Sequence, residues 1–295
     1  MSAAGLPAGA GPLALIAGSG RLPIEVATEV LERGESLVVM PLRGIADGDF
    51  TKLQTVPIDA LDPVGAVEAL RRMGARGVIM AGTVHRPGVG LVFKSWQAVW
   101  NSEVIRKVIE GGDDNLLRGV IGYLEDNGFP VMDLREAAPK LMAGVGLLCG
   151  PQPSVTAAAD IARGFEILET LGPADIGQAL AIAALRVLAV EAAEGTDAMI
   201  RRVRTLRRPG LTGRLLRAWR PPLGDRTGGV LVKAAKPGQD FRADLPVIGP
   251  RTVRLAAAAG LSGIAVEAGA VLIVDRQATS AAAEKAGLFI VGAKR

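Results

Sequence analysis

The chain has 295 residues, of which 49% are hydrophobic and 22% charged, so it can bury a large core in one or two domains and is not a disordered protein. Its mean hydropathy is +0.32, but the most apolar stretch, residues 255–274, contains Glu267 and three glycines, so we expect no transmembrane segment. The single cysteine, Cys149, excludes an internal disulfide, and the single histidine, His85, excludes a histidine-rich metal centre.

The net charge of +4 is unevenly distributed, because residues 201–220 contain eight arginines and no acid. Such a block favours nucleic acid or an anionic membrane as a partner. Aromatic residues make up 3% of the chain, which is little material for stacking bases, so we expect no nucleic-acid partner. Trp219 with Leu215 and Leu216 suggests an element at a membrane surface, and a solvated helix end followed by a loop is the alternative.

Residues 1–11 have neither the basic nor the apolar region of a signal peptide and are expected to form a disordered tail. A strand at Leu13–Ala17, the loop Gly18-Ser19-Gly20-Arg21 and a helix over 23–33 then follow. This order can place backbone N–H groups against a phosphate. The third glycine of the dinucleotide-binding fingerprint is absent, so a plain tight turn is also possible.

Strands are predicted at 36–40, 77–81 and 131–133, with helices at 62–73 and from Asp113 to Asn127. This alternation favours a parallel sheet. Ligands of such sheets bind at the carboxyl ends of the strands, which makes Thr83 and Val84 expected neighbours of the glycine-rich loop. Trp96 and Trp100 lie at helical spacing and form either a core face or a wall for an acyl chain.

Residues 149–154 contain two prolines and a glycine and mark the predicted domain boundary. We therefore divide the chain into domains at residues 12–150 and 154–295. The second domain begins with a helix at 157–171, while residues 175–191 suit a helix or strands. Residues 191–197 follow, where Thr196 is a candidate N-cap.

The most unusual stretch is 230–249, which places lysines, an arginine and aspartates between apolar flanks. We predict a strand at Val230–Lys233, a turn at Lys236-Pro237-Gly238, and an extended or looped run that ends at Leu245-Pro246. If this run is extended, Asp240, Arg242 and Asp244 share one face. Cations beside carboxylates suit an anionic substrate, and a solvated, salt-bridged loop is the alternative. Beyond it we predict a helix, two strands, a helix and a final strand, at 249–259, 263–267, 271–274, 275–286 and 288–291.

Four motifs, read in order, carry a resemblance to a known family: IAGSGRLP, GGDDNLLR, VEAAEGTDAMIRR and VLVKAAKPGQDFRADLPVIGPRTV followed by GLSGIAVEAG. From residue 13 to residue 292 the chain resembles the LpxI-type UDP-2,3-diacylglucosamine hydrolases of Gram-negative lipid A synthesis. The resemblance implies a Mg²⁺-dependent pyrophosphatase that cleaves UDP-2,3-diacylglucosamine to UMP and 2,3-diacylglucosamine 1-phosphate.

The resemblance also implies two α/β domains with the substrate between them. The first is a Rossmann-like parallel sheet that binds nucleotide or phosphate, and the second is a mixed α/β domain that carries catalysis. A homodimer in the cytoplasm, associated peripherally with the inner membrane, is expected. A turn at Ala184-Leu185 is common in the family, which favours a hairpin over a helix at 175–191.

The resemblance makes Asp244 the catalytic residue, and the residue chemistry makes it a metal ligand or the group that orients the attacking water. Glu194 and Asp197 are candidates for the same metal shell, since Mg²⁺ prefers a few carboxylates and several waters, with helix capping as the alternative. The remaining candidates bind substrate: Gly20, Arg21, Thr83, Val84, Thr196, Lys233, Lys236, Gln239 and Arg242. A hydrolase or transferase of soluble nucleotide-sugars and a non-catalytic binder of UDP-lipids remain alternative functions.

Overall fold

A computed structural model describes residues 11–84, 113–174, 176–207, 228–242 and 244–295, with the backbone alone at 113–116. The chain divides into two compact units, Met1–Lys140 with Asp240–Asp244, and Leu141–Gln239 with Leu245–Arg295. This division falls before the predicted boundary at 149–154 and assigns five residues of the 230–249 stretch to the N-terminal unit. No helix among the described residues has the length and apolar character needed to cross a membrane.

The N-terminal unit is built on three parallel strands in the order β2-β1-β3. They are β1 (Leu13–Ala17), β2 (Leu37–Pro41) and β3 (Gly77–Ala81). All three are almost continuously apolar and buried, as is typical of parallel strands covered on both faces. The predicted parallel sheet is therefore confirmed.

In the described part of this unit, four α-helices accompany the sheet: α1 (Leu22–Glu32), α2 (Pro63–Arg72), α3 (Asp113–Asp126) and α4 (Leu134–Ala137). The Asp62 side chain accepts from the N–H of Gly65 and so caps α2. Leu70 of α2 and Ile121 and Leu124 of α3 belong to one apolar cluster with the sheet. The strand predicted at 131–133 is wrong in its extent, because Val131 makes one bridge to Val78 and Asp133 already caps α4.

The C-terminal unit contains a six-stranded mixed sheet in the order β4-β11-β9-β7-β5-β6. Its strands are β4 (Gly146–Cys149), β5 (Ala179–Ala183), β6 (Arg186–Val190), β7 (Val230–Lys233), β9 (Gly263–Glu267) and β11 (Phe289–Ala293). A separate parallel pair joins β8 (Val247–Ile248) to β10 (Leu272–Ile273). The predicted mixed α/β architecture of this half is confirmed.

Successive residues of the central strands point into two different cores, as the two-residue period of a strand requires. Leu231 and Ile264 pack in one cluster, whereas Val230, Val232 and Ala265 pack in the other. The helices around the sheet are α5 (Val155–Leu171), α6 (Gly195–Arg207), α7 (Pro250–Ala258) and α8 (Arg276–Ala286). Burial on both faces explains why these strands are apolar without alternation.

Residues 175–191 contain a hairpin, as the resemblance implied. Ala184 and Leu185 connect β5 to β6 with φ values of 49° and 62°, a conformation that non-glycine residues adopt at a cost. The buried carboxylate of Asp160 accepts from both turn N–H groups, at 3.1 Å from Ala184 and 2.6 Å from Leu185. These two hydrogen bonds favour the hairpin over the helix that the alanine content suggests.

Candidate active site

In the N-terminal unit, the glycine-rich loop lies against the end of β3. Ser19 and Thr83 exchange backbone hydrogen bonds of 2.9 Å in both directions, and the Ser19 hydroxyl donates to the Thr83 carbonyl. A Cβ at Gly18 would lie 2.8 Å from the Thr83 oxygen, and one at Gly82 would lie 2.9 Å from the Ser19 oxygen. Glycine is therefore required for this close approach, and the predicted neighbourhood of the loop and Thr83 is confirmed.

One backbone N–H group of the loop, that of Gly20, is hydrogen-bonded to a carboxylate of the same unit. Gly20 has a φ of 94°, and its N–H donates to the Asp47 carboxylate at 2.7 Å. Arg21 is exposed and lies 3.5 Å from Glu25, and Thr83 and Val84 are also exposed. The N–H of Gly20 is therefore already hydrogen-bonded to an anionic group of the same unit.

A second feature of the N-terminal unit is the segment 240–244, which carries Asp244. Residues 240–242 form a turn, which is the looped and not the extended form of the predicted run, because the Asp240 carboxylate accepts from the N–H of Arg242 at 3.1 Å and the Asp244 N–H donates to the Asp240 carbonyl at 3.1 Å. A short side chain that accepts from the backbone two residues later favours a turn. The looped alternative is therefore confirmed, and the shared strand face expected of an extended run is wrong.

Arg242 links this turn to helix α3. Its guanidinium donates to both Asp240 oxygens, at 2.8 and 2.6 Å, and to Glu125 at 2.7 Å. The hydrogen bond from Arg242 lowers the pKa of Asp240, and the pKa of Arg242 is raised in return. Three of the five guanidinium N–H groups thus point at carboxylates of the same unit.

Phe241, which lies between Asp240 and Arg242, is held by its backbone and its ring. Its carbonyl accepts from the N–H of Leu134 at 3.2 Å. The guanidinium of Arg135 lies over the ring, 3.9 Å from the centroid, and is itself bound to Asp133 through two nitrogens. Phe241 is therefore held in the turn through both its backbone and its ring.

The C-terminal unit holds a buried polar network at the end of β7. Lys233, with 5% exposure, donates to the Thr196 hydroxyl at 3.0 Å and to the Val247 carbonyl at 3.1 Å. The Thr196 hydroxyl donates to Glu191 at 2.7 Å, and Glu191 has 6% exposure. Thr196 is thus a bridge between a buried cation and a buried anion, not the predicted N-cap, since α6 already begins at Gly195.

The predicted turn at Lys236-Pro237-Gly238 is present. The N–H of Gln239 donates to the Lys236 carbonyl at 3.1 Å, and Gly238 has a φ of 76°. The buried Gln239 side chain accepts from the N–H of Lys236 at 2.9 Å and lies 3.4 Å from Gln178. Lys236 itself is half-buried.

The carboxylates proposed for a metal shell have arginine partners. Glu194 pairs with Arg202 at 2.7 Å, and Asp197 pairs with Arg251 at 2.6 Å and with Arg201 at 3.8 Å. Across the described ranges no three His, Cys, Asp or Glu side chains are grouped to hold a metal ion. A metal shell built from Glu194 and Asp197 would have to break these ion pairs, so the arrangement does not fit it.

The arginine-rich block divides in the structure. Arg201 and Arg204 are exposed on α6, whereas Arg207 is buried and donates to the carbonyls of Ala259, Gly260 and Gly228. Desolvation lowers the pKa of Arg207. A surface role for Arg207 is therefore wrong, because its guanidinium closes the carboxyl end of α7.

Several sequence predictions fall outside the described residues. They concern His85, Trp96, Trp100, Trp219, the side chains of Asp113 and Asp114, and the arginines from 208 to 220. Conversely, none of the predictions made from the sequence concerned Glu125, Arg135 or Asp160. Each acts through a partner distant in sequence, and no local motif marks it.

Comparison with known proteins agrees with the geometry in both halves of the chain. Residues 12–141 match the LpxI N-terminal domain and residues 144–291 match the LpxI C-terminal domain. The chain is 38% identical over 280 residues to the UDP-2,3-diacylglucosamine pyrophosphatase LpxI of Caulobacter vibrioides (strain ATCC 19089 / CIP 103742 / CB 15), covering 95% of this chain and 96% of that protein. The two matches divide near Lys140, where the structure also divides. The chain belongs to the LpxI family.

Proposed function

We propose that this chain is a UDP-2,3-diacylglucosamine pyrophosphatase. The observation that carries the proposal is the 38% identity to the Caulobacter enzyme of that name over 95% of the chain. In the reaction, the oxygen of water bonds to one phosphorus while the anhydride P–O bond breaks. The products are UMP and 2,3-diacylglucosamine 1-phosphate, and a proton is released.

Asp244 is the group that we assign to the reacting water or to the metal. The residue is half-buried, and its backbone N–H is hydrogen-bonded to the turn that precedes it, which restricts the position of the side chain. A general base has to be held close to the proton that it accepts. The resemblance and the ordered turn together support Asp244 as the catalytic residue.

The substrate-binding groups are assigned to two clusters, one in each unit. Gly20, Arg21, Thr83 and Val84 lie at the carboxyl ends of β1 and β3, where ligands of parallel sheets collect. Lys233, Lys236 and Gln239 lie at the end of β7 and in the turn that follows it, and Thr196 of α6 accepts from Lys233. Each cluster contains cationic side chains, Arg21 in the first and Lys233 and Lys236 in the second, which suit the phosphates of a UDP-sugar.

We propose Mg²⁺ as the cofactor. When bound, it would neutralise charge on the pyrophosphate in the transition state. Mg²⁺ is commonly held by one or two carboxylates together with substrate phosphates, so Asp244 alone can supply the protein ligand. The involvement of Glu194 and Asp197 would require rearrangement of their arginine pairs.

A homodimer at the cytoplasmic face of the inner membrane completes the proposal. The exposed Arg201 and Arg204 on α6 support attraction to anionic lipid, and the resemblance supports the dimer. Binding to vesicles with and without phosphatidylglycerol would test the first, using Arg201→Gln with Arg204→Gln. Light scattering of the purified chain would test the second.

The deciding experiment measures UMP release from UDP-2,3-diacylglucosamine in detergent micelles, with Mg²⁺ and with chelator. We expect Asp244→Ala to lose at least about a hundredfold in kcat, since it removes a group that acts on the reacting atoms. Asp244→Asn is the matched variant that keeps the shape of the side chain and loses its charge. Near wild-type turnover by both variants would rule out this role of Asp244.

A further inference from the structure

Asp244, the candidate catalytic residue, lies in a short segment of the N-terminal unit that is flanked in sequence on both sides by the C-terminal unit. The chain is part of the C-terminal unit up to Gln239, contributes Asp240–Asp244 to the N-terminal unit, and rejoins the C-terminal unit at Leu245. Five residues have no hydrophobic core of their own to order them. Their position therefore depends on the groups of the N-terminal unit that bind them.

Two such groups contact neighbouring residues of the turn, Arg242 and Phe241. Glu125, near the end of α3, binds the Arg242 guanidinium at 2.7 Å. Arg135, in α4, lies over the Phe241 ring at 3.9 Å, next to the hydrogen bond from the N–H of Leu134. Both come from regular elements of the N-terminal unit, and both contact the turn within four residues of Asp244.

We propose that Glu125 and Arg135 are positioning residues that hold the 240–242 turn and thereby fix the carboxylate of Asp244. This inference rests on the proposed function, since it concerns the same reaction. Neither side chain is assigned a contact with substrate. They act through Arg242 and Phe241, which precede Asp244 by two and three residues in the sequence.

The chemistry of the contacts fits a positioning role better than a stabilising one. The side chains of Arg242 and Glu125 are 34% and 40% exposed, and a pair so exposed contributes less than about 1 kcal/mol to folding. A displacement of about 1 Å of a catalytic group can nevertheless lower a rate about a hundredfold. Loss of either contact should thus reduce turnover far more than stability.

The test uses Glu125→Gln and Arg135→Met, with Glu32→Gln as the matched control. Glu32 forms a 2.9 Å ion pair with Lys140, also in the N-terminal unit and also exposed, and among the described contacts none joins it to Asp240, Phe241 or Arg242. All three changes should shift Tm by similar small amounts. We expect Glu125→Gln and Arg135→Met to lower kcat about tenfold with KM within about twofold, and Glu32→Gln to leave both unchanged.

The combination of Glu125→Gln and Arg135→Met gives a second readout. Because both variants release the same turn, the double variant should lose less in kcat than the product of the two single losses. Wild-type kcat in both single variants, while Asp244→Ala is inactive, would overturn this inference alone. A rise in KM at unchanged kcat would overturn it too, since it would indicate substrate contact. Absence of UMP release by the wild type would instead overturn the proposed function.

Discussion

The charged groups around the candidate catalytic turn of the N-terminal unit are partly exposed to water. The charged groups of the Lys233–Thr196–Glu191 network in the C-terminal unit are buried. Arg242 keeps 34% of its side chain exposed while paired with Asp240 and Glu125. Lys233 and Glu191 have only 5% and 6% exposure and meet through the Thr196 hydroxyl. The two clusters therefore differ in what their charges contribute.

The difference follows from the local dielectric. An exposed ion pair adds little to the free energy of folding, although it can fix a geometry. A buried charge lowers the stability of the fold strongly unless it is hydrogen-bonded. On this reasoning the N-terminal turn can be altered with little loss of stability, while the C-terminal network cannot. The predictions below test that contrast, from the largest expected effect on stability to the smallest.

Lys233→Met should be the most damaging substitution. It removes the cation that Thr196 links to Glu191 and leaves a buried carboxylate without that compensation, which typically costs about 3–5 kcal/mol. Urea denaturation would measure the loss, with Lys285→Met as the control, because Lys285 is exposed on α8 and should cost less than about 1 kcal/mol. Equal losses in the two variants would contradict the contrast between the units.

Thr196→Val should cost about 1–3 kcal/mol in the free energy of unfolding. Valine has nearly the same shape, but it removes the hydroxyl that accepts from Lys233 and donates to Glu191, leaving both with an unmade hydrogen bond. Thr196→Ser keeps that hydroxyl and should recover most of the loss. If serine and valine destabilise the unit equally, the bridge is not what holds these charges.

Much of the fold was predictable because local patterns agree with it. β3, β7 and β9 have the predicted bounds, since each is an apolar run between glycines, prolines or polar residues. Asp62 starts α2 and Asp275 starts α8 as helix-capping chemistry requires. Signals of this kind lie within a few residues of the feature they determine.

The candidate site was less predictable because its contacts are remote in sequence. Alternation of Asp240, Arg242 and Asp244 suits a strand, but a carboxylate that binds the N–H two residues later also suits a turn, and the structure has the turn. Glu125 lies 117 residues from Arg242, so no window of sequence reveals the pair. The hairpin at Ala184-Leu185 lacks glycine and depends on Asp160, which is equally invisible to local patterns.

The smallest expected effect concerns the pH dependence of the exposed cluster. The hydrogen bond from Arg242 lowers the pKa of Asp240 in the folded protein. The resulting stabilisation is fully present above the unfolded pKa of about 3.9 and is lost as the pH falls through the lower folded value. Because the pair is partly exposed, it should amount to less than about 1 kcal/mol.

Asp240→Asn should therefore differ from the wild type in the free energy of unfolding at pH 6, and the difference should shrink below about pH 4. Asparagine resembles a protonated aspartic acid, so the two proteins converge once Asp240 takes up its proton. Arg242→Gln should remove the same acid-dependent part, because Arg242 is the main cause of the lowered pKa. A difference that stays constant from pH 6 to the acid limit would mean that Asp240 acts through shape and not through charge, and the comparison with the buried Lys233 network would lose its electrostatic basis.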